Sequence, residues 1–289
     1  MRPRIRQWSE VIVEKSLLVI ALFTIIVITL ITWFVVSAGY PVLSEVGIWQ
    51  FISGTKWHPT DGEYGIWPMI VGSVLVTIGA LGIGVPLGVI GAIFLAEVAP
   101  PKVARVIRSA VELLAGIPSV VYGFFGLVVI VPFLREFLGG SGFSVVAGSI
   151  ILGIMILPTI LSISETSLRA VPREFKEGSL ALGANHWQTI KWIFLPVARS
   201  GILAAIILGM GRAIGETMAV IMVTGNVALV PHALSDPIRT LTGNVVMEMS
   251  YASGRHQQAL FATGIVLFFF VMLLNLLMQV ISRRKVDQA

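Results

Sequence analysis

The sequence predicts an all-α integral membrane protein with six transmembrane helices, and three observations carry that prediction. Of its 289 residues 56% are hydrophobic and only 12% charged, with a mean hydropathy of +0.93. A soluble domain carries about 25% charged residues, so this chain has too few to coat a surface in water. Charge-poor apolar stretches long enough to cross a bilayer recur six times, and the basic residues are concentrated in alternate connections between them.

The first stretch, 17–36, follows Arg2, Arg4 and Arg6 in the manner of a signal peptide. Its length matches a spanning helix of about 20 residues rather than a secretory core of about 7–15, and no polar mature protein follows. The second, 69–96, exceeds the minimum span and is expected to tilt, to kink at Pro86 or to run beyond the lipid. The others cover 113–134, 145–164, 201–223 and 259–281. Backbone groups in hydrocarbon must pair within the segment, and these runs are apolar all round rather than alternating, so helices are expected and a β-barrel is not. Residues 1–289 thus read as a single transmembrane domain.

Fifteen of the twenty basic residues lie in one set of connections: Arg2, Arg4, Arg6 and Lys15; Lys102, Arg105 and Arg108; Arg169, Arg173, Lys176, Lys191 and Arg199; Arg283, Arg284 and Lys285. The opposite set holds Lys56, Arg135, Arg239 and Arg255. An even number of spans and the positive-inside rule place both termini in the cytoplasm. The net charge of +5 is therefore topology and not a nucleic-acid footprint. Absence of cysteine excludes disulfides and thiolate chemistry. His58, His186, His232 and His256 fall in different loops, so no metal site is expected, and neither HExxH nor G-x-S-x-G occurs. The Gly139, Gly140, Ser141, Gly142 run reads as a turn.

Two outer segments, 40–67 and 226–258, are long enough for structure of their own. Trp49, Trp57 and Trp67 suit the membrane interface, and 226–258 reads as loops with a short helix. The inner connection 169–196 reads as two short helices. Pro172 suits a first helical position with Glu174 in the first turn, and Phe175, Ser179 and Leu182 share a face. Gly183 supplies a left-handed end, and Asn185 caps a second helix with Trp187, Ile190 and Phe194 on one side until Pro196 breaks it. Neither helix is stable alone in water, so the pair needs a partner surface, in its own membrane domain or in another protein.

Arg212 and Glu216 lie inside the fifth apolar stretch. An isolated charge at such depth costs about 2.5–3.5 kcal/mol, so both must face protein or water. Their spacing puts them on one helical face within pairing reach. One reading is a self-neutralising pair that fixes packing. The other is an anion path in which the planar donor fork of Arg212 draws an oxyanion and Glu216 keeps the site from trapping it. Gly209, Gly211 and Gly215 surround the pair, and Gly211-x-x-x-Gly215 fits either a packing motif or space for a substrate, whereas Gly84-x-x-x-Gly88 reads as packing.

Glu177, Gly178 and Ser179, then Gly183, then Ile193, Phe194, Leu195 and Pro196 at their observed spacing resemble the "EAA" loop of importer-type ABC permeases, with Gly178 and Ser179 standing where the pattern has alanine. The run Gly211 to Val220 with Arg212, Glu216, Thr217 and Met218, the run Leu114 to Gly123 with Pro118 and Tyr122, and Gly54 to Pro59 followed by Gly62 to Gly65 resemble phosphate-specific ABC permeases of the PstC type. The resemblance implies a MetI-like fold, inorganic phosphate as substrate, and Arg212, Glu216 and Thr217 on the translocation path. It implies that Glu177, Gly178, Ser179, Gly183, Ile193, Leu195 and Pro196 couple to an ATPase. Implied partners are a second related permease, two cytoplasmic ATP-binding subunits and an extracytoplasmic phosphate-binding protein, in the cytoplasmic membrane of a prokaryote. The chain has no G-x-x-x-x-G-K-[ST] loop, so it is expected to be no enzyme and to bind no cofactor, ATP and Mg being held by the partner ATPase. Alternatives are a permease for sulfate, molybdate or phosphonate, and a secondary transporter with Glu216 as proton carrier.

Overall fold

The computed structural model describes the backbone of residues 2–286 and the side chains of residues 13–276. Six of its helices are long and apolar enough to cross a membrane. In chain order the helices are α1 (Arg2–Val46), α2 (Ile48–Ser53), α3 (Trp67–Ile93), α4 (Pro101–Gly116), α5 (Ser119–Phe125), α6 (Val131–Leu138), α7 (Val145–Arg169), α8 (Arg173–Ala181), α9 (His186–Thr189), α10 (Leu195–Gly215), α11 (Met218–Val223), α12 (Leu241–Met249) and α13 (Arg255–Val286). A small antiparallel hairpin, β1 (Trp57–His58) and β2 (Glu63–Tyr64), pairs Trp57 with Tyr64.

α7 is the centre of the bundle: 61% of its most apolar window is buried, against 28% or less for every other span. α3 lies along it at close range because both contribute glycines. A Cβ on Gly84 would meet Ile156 Cγ1 at 2.7 Å, and one on Gly88 would meet Ile160 Cγ2 at 2.8 Å. The Gly84-x-x-x-Gly88 packing expected from sequence is thus present. α5 and α11 complete the main core around Ile151, Met155 and Val220. α1 stands apart, with none of its most apolar window buried. It meets α13 where Gly39 passes the Ala262 backbone.

Three short π turns interrupt the spans, at Phe94–Val98, Gly126–Ile130 and Ile190–Phe194, and each ends two residues before a proline: Pro100, Pro132 and Pro196. A proline offers no N–H and its ring strikes the carbonyl four residues back. Before Pro132 and Pro196 the widened turn lets the helix continue past the ring. At Pro100 the helix stops: Ala99 (ψ 134°) and Pro100 (ψ 148°) are extended, and Ala99 N–H reaches Phe94 C=O, five residues back, at 2.7 Å as the helix ends.

This corrects the expectation at Pro196, which does not break the second helix. α9, the π turn and α10 form one helix over His186–Gly215. The helix over the fifth apolar stretch therefore starts before residue 201 and ends before 223. The third span, expected over 113–134, is Ser119–Leu138; Ile117 and Pro118 leave the helical region, and residues 113–116 close the amphipathic α4 instead. Pro172 sits just before α8 as its N-cap rather than inside it. Trp49 (80% exposed) suits an interface, but Trp57 (4%) is core: it packs with Phe51, Tyr64 and Leu260 in a second apolar cluster.

Candidate functional site

Arg212 sits in the last turn of α10 and is half-buried. Its Nη1 donates to Thr159 Oγ1 on α7 at 3.3 Å. It forms no ion pair among the described residues, so most of its five N–H donors are uncommitted. Tyr122 of α5, whose hydroxyl donates to Leu114 C=O at 2.8 Å, lies within electrostatic reach of it. A Cβ on Gly211 or Gly215 would meet nothing within 4 Å, whereas one on Gly209 would meet Ile160 at 2.9 Å. Gly209 is therefore the packing glycine, and Gly211 and Gly215 border open space beside the guanidinium.

Of the two readings of Arg212 and Glu216, the self-neutralising pair does not form among the described residues. α10 ends at Gly215; Glu216 keeps φ −69° but takes ψ 134°, so the chain leaves the helix just after it. Its carboxylate turns forward and accepts the N–H groups of Thr217 (3.1 Å) and Ala219 (3.3 Å) at the start of α11. Those donors have no partner inside α11, and a negative group is favoured at a helix N-terminus, so local capping competes successfully with the distant guanidinium. Thr217 keeps its hydroxyl on Gly215 C=O at 3.3 Å. Thr242 of α12 donates to Glu216 C=O at 3.0 Å. The span is thus broken between Gly215 and Met218. Non-helical backbone at membrane depth is tolerated where protein covers it or a cavity wets it.

On the side away from the basic loops, residues from separate parts of the chain converge on one carboxylate that sequence reasoning did not single out. Glu248 of α12 accepts from Trp57 Nε1 (2.9 Å), Arg239 Nη1 (2.5 Å) and His256 Nε2 (2.7 Å). Arg239 also donates to Asn226 C=O and to Asn244 Oδ1. This hub holds α12, and hence Thr242, against Glu216. The one sequence signal for it was a pair of opposite charges, Arg239 and Glu248, which are the two charged residues of the stretch 237–254.

On the basic side, Gly183 takes φ +87° and ends α8, and Asn185 with Gln188 forms a reciprocal capping box for α9, both as the spacing predicts. Glu177 and Gly178 are exposed, and a Cβ on Gly178 would meet nothing within 4 Å. Ser179 Oγ meets Thr189 Oγ1 at 3.1 Å. Ile193 and Leu195 are half-buried and Pro196 is exposed. No residue of α8 is buried, and Leu182 (91%), Trp187 and Trp192 (66% each) stand exposed on the loop. Beneath it, Glu165 of α7 is gripped by Arg108 (2.7 Å) and Arg169 (2.8 Å), and Arg169 also donates to Leu95 C=O in the first π turn.

A family model described as the binding-protein-dependent transport system inner membrane component matches residues 84–287. The chain belongs to that family. The match takes in α7, the α8–α9 loop, α10 and α11, the elements that carry both candidate sites in this inner membrane component. Among curated proteins it is 44% identical over 246 residues, 82% of this chain and 79% of the relative, to the probable ABC transporter permease protein YqgH of Bacillus subtilis. It is 32% identical over 281 residues, 90% of this chain and 89% of the relative, to the phosphate transport system permease protein PstC of Haemophilus influenzae. Solved structures share the fold. A bacterial alginate ABC transporter, solved in complex with an alginate-bound periplasmic protein, superposes with a TM-score of 0.66 at 16% identity over 97% of this chain and 98% of that one. The inward-facing methionine transporter MetNI gives 0.58 at 21% identity over 76% and 94%. The six-span, MetI-like architecture of this family member is therefore established, and it is a multi-pass membrane protein.

Proposed function

We propose that this chain is the phosphate-translocating subunit of an ATP-driven importer in the inner membrane of a prokaryote, with Arg212 as the group that recognises the oxyanion. The observation that carries the reading is a guanidinium beside a broken span, with no carboxylate partner among the described residues and two open glycines next to it. A positive charge held partly out of water at membrane depth without a counter-ion is costly unless an anion or water completes it. A planar donor fork suits a tetrahedral oxyanion. Phosphate rather than another oxyanion is favoured by the relatives named as phosphate permeases.

Glu216 takes a different part from a counter-charge. It organises the break by capping α11, and Thr242 ties that break to the outer hub. On the basic side, which the positive-inside rule makes cytoplasmic, Leu182, Trp187 and Trp192 present an apolar surface for an ATPase subunit. ATP and Mg belong to that partner. In this reading nucleotide-driven closure of two ATPase subunits moves the α8–α9 loop, and the loop carries α10 with it because the helix is continuous from His186 to Gly215. A second related permease completes the cavity on the open side of Gly211 and Gly215, and an extracytoplasmic binding protein delivers phosphate from outside.

The test is ATP-dependent uptake by the reconstituted complex with radiolabelled phosphate and radiolabelled sulfate in parallel. Phosphate uptake that excess sulfate does not suppress is expected. Sulfate uptake in place of phosphate would reassign the substrate, and uptake driven by a pH gradient without ATP would overturn the importer reading.

A further inference from the structure

α8 carries no buried side chain, so apolar packing alone cannot convey its motion to the membrane helices. Of its nine residues only Lys176 and Ser179 are turned away from solvent enough to be half-buried. Ser179 reaches Thr189, which lies in the same loop and the next helix. Lys176 reaches further. Its Nζ lies 2.6 Å from Glu97 Oε2 and 5.6 Å from the ring centre of Phe194.

Both targets are strategic. Glu97 belongs to the π turn Phe94–Val98 that ends the second span, and its side chain is 8% exposed. Phe194 is 4% exposed and closes the π turn from which α10 starts. One ammonium therefore joins the exposed helix to two spans at once, at the points where each has a widened turn. π turns replace ideal bonds with longer-register ones, and are places where a helix can change pitch. Arg169 and Arg173 line the same cleft, but Arg169 is committed to Glu165 and to Leu95 C=O.

We propose that Lys176 is a positioning residue for transport, the mechanical tie through which the α8 loop moves the second span via Glu97, in parallel with the continuous helix that moves the fifth. The inference rests on the reading of this chain as an ATPase-driven permease. A purely structural ion pair would lower stability when broken; a tie between moving parts changes how much transport each hydrolysis event produces.

The experiment uses the complete complex with its partner permease, ATPase subunits and binding protein in proteoliposomes. It compares Lys176→Met, Glu97→Gln and the exchange Lys176→Glu with Glu97→Lys. ATPase co-purification, hydrolysis and phosphate uptake are measured together. Each single variant is expected to retain the ATPase and hydrolyse ATP while phosphate moved per ATP falls about tenfold, within the usual range of coupling between sites. The exchanged pair should recover most of that ratio. Wild-type ratios in both single variants, or an exchanged pair no better than the singles, would overturn the proposal. If Lys176→Met fails to assemble, Glu97→Gln reads the same tie from the buried side, and unchanged coupling there also overturns it. Failure of the wild-type complex to move phosphate with ATP is a distinct result; it removes the functional reading and this inference with it.

Discussion

Replacing Glu248 with Gln removes one charge and almost no volume from the outer hub. Glu248 and Arg239 are 9% and 15% exposed, so solvent screens their interaction little. Hydrogen bonds to charged groups contribute about 1.5–3 kcal/mol net, against about 0.5–1.5 for neutral ones. The amide keeps one acceptor, but its NH2 must face one of the three donors Trp57, Arg239 and His256. Arg239 is also left buried without a counter-charge. Full loss of one partner of a buried pair costs about 3–5 kcal/mol, and the retained acceptor brings the expected cost to about 2–3 kcal/mol. The cost falls on α12, which the hub holds, so the variant should expose Leu241–Met249 to local opening. Hydrogen exchange of that helix, read by mass spectrometry in lipid nanodiscs, should accelerate by roughly 30- to 150-fold. Val246→Ala, at a site 49% exposed on the same helix, should leave it unchanged. Exchange in Glu248→Gln at the wild-type rate would refute the assignment of α12's anchoring to this carboxylate.

Other outcomes follow from the same geometry. Gly84→Ala should destabilise the fold by about 1–3 kcal/mol, because its Cβ meets Ile156 at 2.7 Å. Gly211→Ala should leave thermal unfolding unchanged, and any effect it has should appear in transport. Gly183→Val forces a side chain onto φ +87° and should cost about 1–2 kcal/mol within the loop, read as faster exchange across α8 and α9. The N–H groups of Ala233 and His232 hold the Asp236 carboxyl below its ordinary range. Its folded value is depressed, so the turn is secured above the ordinary carboxylate pKa and loses that support as pH falls through the lowered value. Exchange at 232–236 should therefore rise with acidification beyond its intrinsic pH trend, and Asp236→Ala should abolish that rise.

Lipid makes the spans legible, because a charge-poor run of about 20 residues has few alternatives to a helix. The turn chemistry of Gly183 and Asn185 was equally readable, since each residue acts through its own backbone or its immediate neighbours. The fifth span was misread at both ends for reasons that spacing does not encode. At Pro196 a π turn absorbs a residue that normally stops a helix, as another does before Pro132, whereas the helix before Pro100 does stop. At Glu216 a local cap outcompetes a charge four residues back, which breaks the helical face on which the pairing argument rested. The hub of Trp57, Arg239, Glu248 and His256 joins residues up to about 200 positions apart, and no local pattern announces such a meeting.

The central claim is that Arg212 is kept unpaired in order to meet an oxyanion, and radiolabelled phosphate uptake by the complex carrying Arg212→Gln tests it most directly. Gln removes the charge and the fork while Thr159 remains within reach of a donor. Loss of a charge-assisted, two-pronged contact predicts a fall in uptake of about 100-fold, with ATPase co-purification and thermal unfolding unchanged. Uptake at the wild-type rate in that variant would contradict the account.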